Sequence, residues 1–210
     1  MNVEFILFFE YTRYSMKVII TTSLRMDDNL VAKAKQLAED LGIEYLKRNK
    51  RSVSSLLKEV EKVLVLYQNK LVLEQRNGQT FFFHPDTAML RIKAGHDPIG
   101  PSKKTILDCT MGLASDSIVL ASAGHQVTSL ESSRLIHFIV SRGLQDFNSS
   151  NVLVDCAMRS IQTKWIDSLT YLKEQIDKSV DVIYFDPMFS EEIKESNNLA
   201  GLVQMADGSR

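Results

Sequence analysis

The sequence predicts an α/β chain in two parts: a smaller α+β unit, then a parallel sheet with helices between its strands. Three observations carry this. In the second half, short apolar runs alternate with helical segments, a rhythm that fits parallel strands joined by right-handed crossovers. In the first half, a strand–helix–strand passage gives way to a hairpin signal. Between them lies a loop, residues 94–104, carrying Gly95, Pro98, Gly100 and Pro101. The expected division is an upstream extension over 1–15, an N-terminal α+β domain over 16–100 and a second domain over 101–210.

The elements follow in order. MNVEFILFFEYTRYS has an apolar centre, but no basic leading region and no small-residue cleavage site, so it reads poorly as a signal peptide. Met16 precedes a clean strand, which makes 1–15 an extension before a natural start; the alternative is an extra edge strand. VIITTS (18–23) is a buried strand. DDNLVAKAKQLAEDLG (27–42) is a helix with acids in its first turn, Gly42 past its end, and Leu30, Ala34, Leu37, Ala38 and Leu41 on one face. IEYL is a short strand, KRNKR (47–51) a basic loop and VSSLLKEVEK a second helix. VLVLYQNKLVLEQ is a hairpin turning at Gln68-Asn69. In the second half TILDCT, QVTSLE, IQTKWID and DVIYFD are strands. MGLASDSIVLASAG, SSRLIHFIVSRGLQDF, NVLVDCAMRS and SLTYLKEQID are the turn and helices between them.

Composition narrows the classes. No apolar run approaches the roughly 18 residues of a membrane span. Cys109 and Cys156 make no disulfide framework, which fits a reducing cytoplasm, and no Cys/His cluster suggests a metal. The net charge of −1 conceals a split: residues 16–104 carry 16 basic and 10 acidic side chains, residues 105–210 carry 8 and 14. A basic front half suits an anionic partner, and an acidic back half supplies carboxylates to a site.

Four strands end in an acid: Asp108, Glu131, Asp167 and Asp186. Parallel strands bring such acids to one edge, outside which ligands bind. The first turn, DCTMGLASD, holds Gly112 for a sharp bend, and Ala114 where a second glycine would stand. A dinucleotide site would want more glycine and a phosphate there. Asp108 and Asp116 instead repel a pyrophosphate and suit a cation, such as the ammonium and sulfonium of S-adenosyl-L-methionine. Glu131, 23 positions after Asp108, can accept both ribose hydroxyls. Asp167 with Ser168 can meet the adenine amine, with Asp155 the competing acid. Asp116 and Glu131 also read as helix caps.

These residues resemble a known family. Residues 105–190 look like a Rossmann-like class I S-adenosylmethionine-dependent methyltransferase. More narrowly, they resemble the small-subunit ribosomal RNA guanine-N2 methyltransferase J family and its Gram-positive-type relatives. The family turn, D-x-T-x-G-L-G-x-D, is matched at Asp108, Thr110, Gly112, Leu113 and Asp116, with Ala114 in place of glycine. Asp186, Pro187, Met188 and Phe189 match its D-P-M-F/Y signature. The resemblance implies cofactor contacts at Ser115 and Asp116, Glu131 and Ser132, Asp167 and Ser168, and Asp186. It also implies an RNA base flipped to Phe189, with Asp186 and the Pro187 carbonyl accepting hydrogen bonds from its amine.

Around this centre, His84 in FFFHP, Arg91 and Lys93, and Lys50 and Arg51 of the basic loop are candidate substrate contacts, each also readable as an ordinary structural or solvated side chain. A nicotinamide-binding module is the alternative function, and a methyltransferase fold without activity a third. The family normally continues past Phe189, so the sheet is expected to stop after its fourth strand. That strand would then be an open edge, covered by the first domain or a second copy in a homodimer.

Overall fold

The computed structural model describes residues 17–176 and 179–186. The expected extension over 1–15, and Pro187, Met188 and Phe189, lie outside them.

The first half runs β1 (Val18–Thr22), α1 (Asp28–Leu41), β2 (Glu44–Tyr45), α2 (Val53–Leu56), β3 (Lys62–Leu66), β4 (Leu71–Gln75), β5 (Thr80–Phe82) and α3 (Asp86–Lys93). Its sheet has the order β2-β1-β3-β4-β5, parallel across the first three strands and antiparallel beyond. The caps of α1 behave as the sequence suggests: Asp27 accepts from the Leu30 N–H at 2.7 Å, Gly42 takes the left-handed conformation, and all five expected apolar positions are buried. The Gln68-Asn69 turn is closed by Tyr67 N–H donating to the Lys70 carbonyl.

Two departures have clear causes. The helix expected over VSSLLKEVEK stops after Leu56, because Glu61 and Lys62 are drawn into pairing with the start of β1, which outweighs their helix propensity. A second hairpin at Asn77-Gly78 adds β5 to the sheet. Asn-Gly between apolar runs is a strong hairpin signal in its own right.

The second half runs β6 (Thr105–Asp108), α4 (Ser115–Ser122), β7 (Gln126–Glu131), α5 (Arg134–Asp146), α6 (Val152–Ser160), β8 (Gln162–Trp165), α7 (Ser168–Lys173) and β9 (Val182–Tyr184). Its four strands are all parallel, in the order β8-β7-β6-β9. Connections leave β6 toward β7 and then return across it to β9. The switch point therefore falls between β6 and β9, where doubly wound sheets open a crevice at the carboxyl edge.

One apolar cluster joins the two sheets, running from Ile20, Leu37 and Phe81 through Phe83 to Ile106, Ile118, Ile139 and Leu144. Phe83 lies against the backbone of α5 at Gly143 and meets Phe147 edge-on at 5.9 Å. Asp40 of α1 pairs with Arg142 of α5 at 2.7 Å, and Lys33 with Asp146 at 3.7 Å. A smaller cluster of Leu107, Cys109 and Leu130 packs under α7 on the other face of the second sheet. Among the described residues β9 is an outer strand, and Ile183 and Phe185 are each 55% exposed there. No described helix is long and apolar enough to cross a membrane.

Candidate functional site

All four strand-end acids lie at the carboxyl edge of the second sheet. Strand order sets them in the row Asp167, Glu131, Asp108, Asp186. At about 4.8 Å per strand, Glu131 and Asp186 stand about 10 Å apart. That span suits a ligand of nucleoside size.

The turn after β6 is the hinge of the site. Gly112 and Ala114 both take positive φ, +49° and +59°, so the family's glycine at the second position answers a backbone need. A left-handed alanine costs about 1–2 kcal/mol. Ala114 is fully buried, and burying its methyl returns about 0.8 kcal/mol, with a further part regained from the restricted unfolded chain. Alanine is therefore tolerated. Ala114 also occupies the N-cap position of α4, so Asp116 in the first turn is not that helix's cap.

Asp108 is 1% exposed and both its oxygens are engaged. Oδ1 accepts from Thr110 N–H at 3.0 Å, and Oδ2 accepts from the Ser117 hydroxyl at 2.5 Å; Ser117 in turn meets the Ser129 hydroxyl at 2.6 Å. Thr110 Oγ1 accepts from the Asp186 N–H at 2.9 Å, and Cys109 N–H donates to the Tyr184 carbonyl. A chain of hydrogen bonds thus runs from the buried serines to the end of β9.

Burial pushes the Asp108 carboxyl up to about 6, against hydrogen bonds from Ser117 and Thr110 that pull it down. An unfolded aspartate titrates near 3.8. From roughly pH 4 to 6 the folded state keeps a proton that the unfolded chain has lost, so this group's contribution to stability falls as pH rises. Asp108→Asn has no such proton to lose. Its stability relative to the native sequence should rise by about 2 kcal/mol between pH 4 and pH 7, read by urea denaturation at both pH values.

Glu131, at the end of β7, accepts from Ser133 N–H at 2.7 Å and from the backbone at Gly112, and burial raises its carboxyl above the usual range. It braces the turn, while Ser133 caps α5. Asp167 is exposed and caps α7 through Thr170, and those hydrogen bonds hold its carboxyl below the usual range. Ser168 opens that helix, and Ser132 and Ser115 flank Glu131 and Asp116. Burial pushes the Cys109 thiol up to about 11, so it stays protonated at neutral pH.

The substrate candidates do not gather in one place. Arg91 reaches the site, its Nη1 donating to Asp116 Oδ1 at 2.5 Å. Lys93 is exposed on the same last turn of α3. His84 sits at the other end of α3, beside Phe82 and Asp86, about 10 Å away along the helix. Arg51 pairs with Glu59, and Lys50 projects from a turn in which it and Asn49 both have positive φ.

Four site neighbours escape a sequence reading. Tyr184 hydrogen-bonds to Asp116; burial first, then that carboxylate's charge, pushes its phenol up to about 12. Ser117 and Ser129 look like surface serines and are fully buried. Trp165, 54% exposed, donates to the Ser132 carbonyl at 3.0 Å and carries the Arg134 guanidinium 5.1 Å from its ring centre.

Comparison with known proteins gives the class. A family model described as "Putative SAM-dependent methyltransferase" matches residues 87–200. "Uncharacterized protein YpiP" of Bacillus subtilis is 38% identical over 204 residues, 91% of this chain and 79% of that protein. "Ribosomal RNA small subunit methyltransferase J" of Francisella tularensis is 30% identical over 152 residues, 68% of this chain and 62% of that enzyme, so this chain spans less than two thirds of it. The solved SAM-dependent methyltransferase NGO1261 of Neisseria gonorrhoeae shares the fold, with a TM-score of 0.55 at 17% identity over 81% of this chain and 70% of that one.

The chain belongs to this family of S-adenosylmethionine-dependent methyltransferases. The donor set fits the cofactor: three carboxylates and a bent, glycine-bearing turn at one edge favour a cationic nucleoside over a pyrophosphate.

Proposed function

We propose that this chain methylates an exocyclic amine of an RNA base, guanine N2 of small-subunit ribosomal RNA. The observation that carries the reading is Asp186, held by Thr110 beside the cofactor turn at the switch point of the sheet. The likeness to methyltransferase J supports the RNA target.

In this reading Glu131 holds the ribose, Asp116 the amino-acid end and Asp167 with Ser168 the adenine; Asp108, Thr110 and Gly112 shape the turn. S-adenosylmethionine supplies a methyl group already activated on a sulfonium. The chain's own work is alignment, which can be worth about 7–11 kcal/mol. Asp186 and the Pro187 carbonyl accept hydrogen bonds from the amine and aim its lone pair; Phe189 stacks on the flipped base, worth about 1–3 kcal/mol.

The front half, residues 16–100, takes the RNA backbone, with Lys50 and Lys93 as exposed phosphate contacts. The test is transfer of labelled methyl to small-subunit ribosomal RNA, followed by nucleoside analysis. Label on a ring carbon, or none on RNA, contradicts the proposal.

β9, an outer strand among the described residues, gives a second expectation. A second copy pairing there covers Ile183 and Phe185, so light scattering should show a dimer that Ile183→Lys dissociates. A monomeric native protein contradicts it.

A further inference from the structure

Arg91 belongs to the first half and reads in the sequence as a phosphate contact for the substrate. Its position argues otherwise. The guanidinium sits against the acid of the cofactor turn, 25 positions further along the chain, at 2.5 Å. Neither partner is sealed: the side chains are 29% and 22% exposed. Only Nη1 is used by Asp116, which leaves donors on the other arms of the fork. Tyr184 of β9 lies close enough to this carboxylate to feel its charge. The result is one positive and one negative group, side by side and part-solvated, at the end of the site nearest the start of α4.

We infer that Arg91 and Asp116 together form a zwitterion clamp for the α-amino-acid end of the cofactor, Asp116 accepting from its ammonium and Arg91 donating to its carboxylate. This rests on the cofactor reading of the turn and goes beyond it by drawing a binding residue from the other half of the chain. A lone Asp116 would attract the ammonium but repel the carboxylate attached to the same carbon. Arg91 cancels that repulsion and adds charge-assisted hydrogen bonds. An Arg committed to RNA phosphate would gain nothing from a carboxylate at hydrogen-bonding distance, which competes for the same donors.

The probes are S-adenosylhomocysteine, which keeps the amino-acid end, and 5′-methylthioadenosine, which lacks it; calorimetry reads binding without any turnover. Arg91→Gln should weaken S-adenosylhomocysteine by about 10- to 100-fold and change 5′-methylthioadenosine by less than about threefold. Arg91→Lys should recover part of the loss. The unaltered protein offers a measurement that needs no variant: decarboxylated S-adenosylhomocysteine, which keeps the ammonium, should bind it as weakly as the parent ligand binds Arg91→Gln. Equal losses for both probes, or a decarboxylated ligand bound as tightly as the parent, overturn the clamp. So does unchanged S-adenosylhomocysteine binding with a weaker RNA complex. A native protein that binds neither nucleoside refutes the cofactor site itself, an outcome distinct from failure of the clamp alone.

Discussion

Asp186→Ala is expected to lower methyl transfer to small-subunit ribosomal RNA by about 100-fold or more, because loss of orientation at the reacting nitrogen is costly on that scale. The fold should not suffer. What ties this segment to the turn is backbone: Asp186 N–H donates to Thr110 Oγ1, and the Tyr184 carbonyl accepts from Cys109 N–H. Both bonds survive the substitution, and the side chain removed is exposed, so stability should change by no more than about 0.5 kcal/mol. Labelled-cofactor assays on matched, folded samples separate the two effects. Transfer at the native rate would mean that Asp186 does not hold the amine.

Gly143→Ala should destabilise the protein by about 2–3 kcal/mol, although glycine to alanine inside a helix ordinarily gains about 1 kcal/mol. The sign reverses because of Phe83. A methyl built on Gly143 would stand 2.1 Å from Phe83 Cγ and 2.4 Å from its Cβ. The near presence of Cβ means that a ring flip cannot clear the clash. Phe83 would have to leave α5 and give up its edge-on contact with Phe147. Denaturant unfolding of the two single variants and the double variant checks this: Phe83→Ala removes the ring but leaves Cβ at 2.4 Å, so in that background Gly143→Ala should cost clearly less than in the native protein without turning stabilising. If the two changes simply add, the close approach is not what makes Gly143 necessary.

Much of the architecture was legible where the information is local. Asp27 and Gly42 bracket α1, Ser residues open α5, and the spacing of Asp108, Glu131 and Asp186 with their apolar runs announces parallel strands that share an edge. What stayed hidden depends on distant partners. Arg91 looks like any solvated base until the fold carries it to Asp116. Ser117 and Ser129 are polar by type, and their burial depends on the hydrogen bonds that link Ser129 through Ser117 to Asp108. Asp167 resembles its fellow strand-end acids, yet one oxygen of its carboxylate is taken by the Thr170 N–H and hydroxyl, as a local capping pattern allows. The short α2 shows the converse: a helix-favouring run yields when sheet pairing claims its far end.

The apolar cluster shared by the two sheets also bears on how the chain comes to be folded. Its bracing contacts join residues far apart in sequence: Asp40 with Arg142 lies 102 positions away. During synthesis the first sheet emerges well before α5. Until then Phe83, which lies against Gly143 and Phe147 in the finished protein, lacks those partners. Slow codons or a fused partner placed between the halves should therefore prolong that exposure and lower soluble yield rather than raise it.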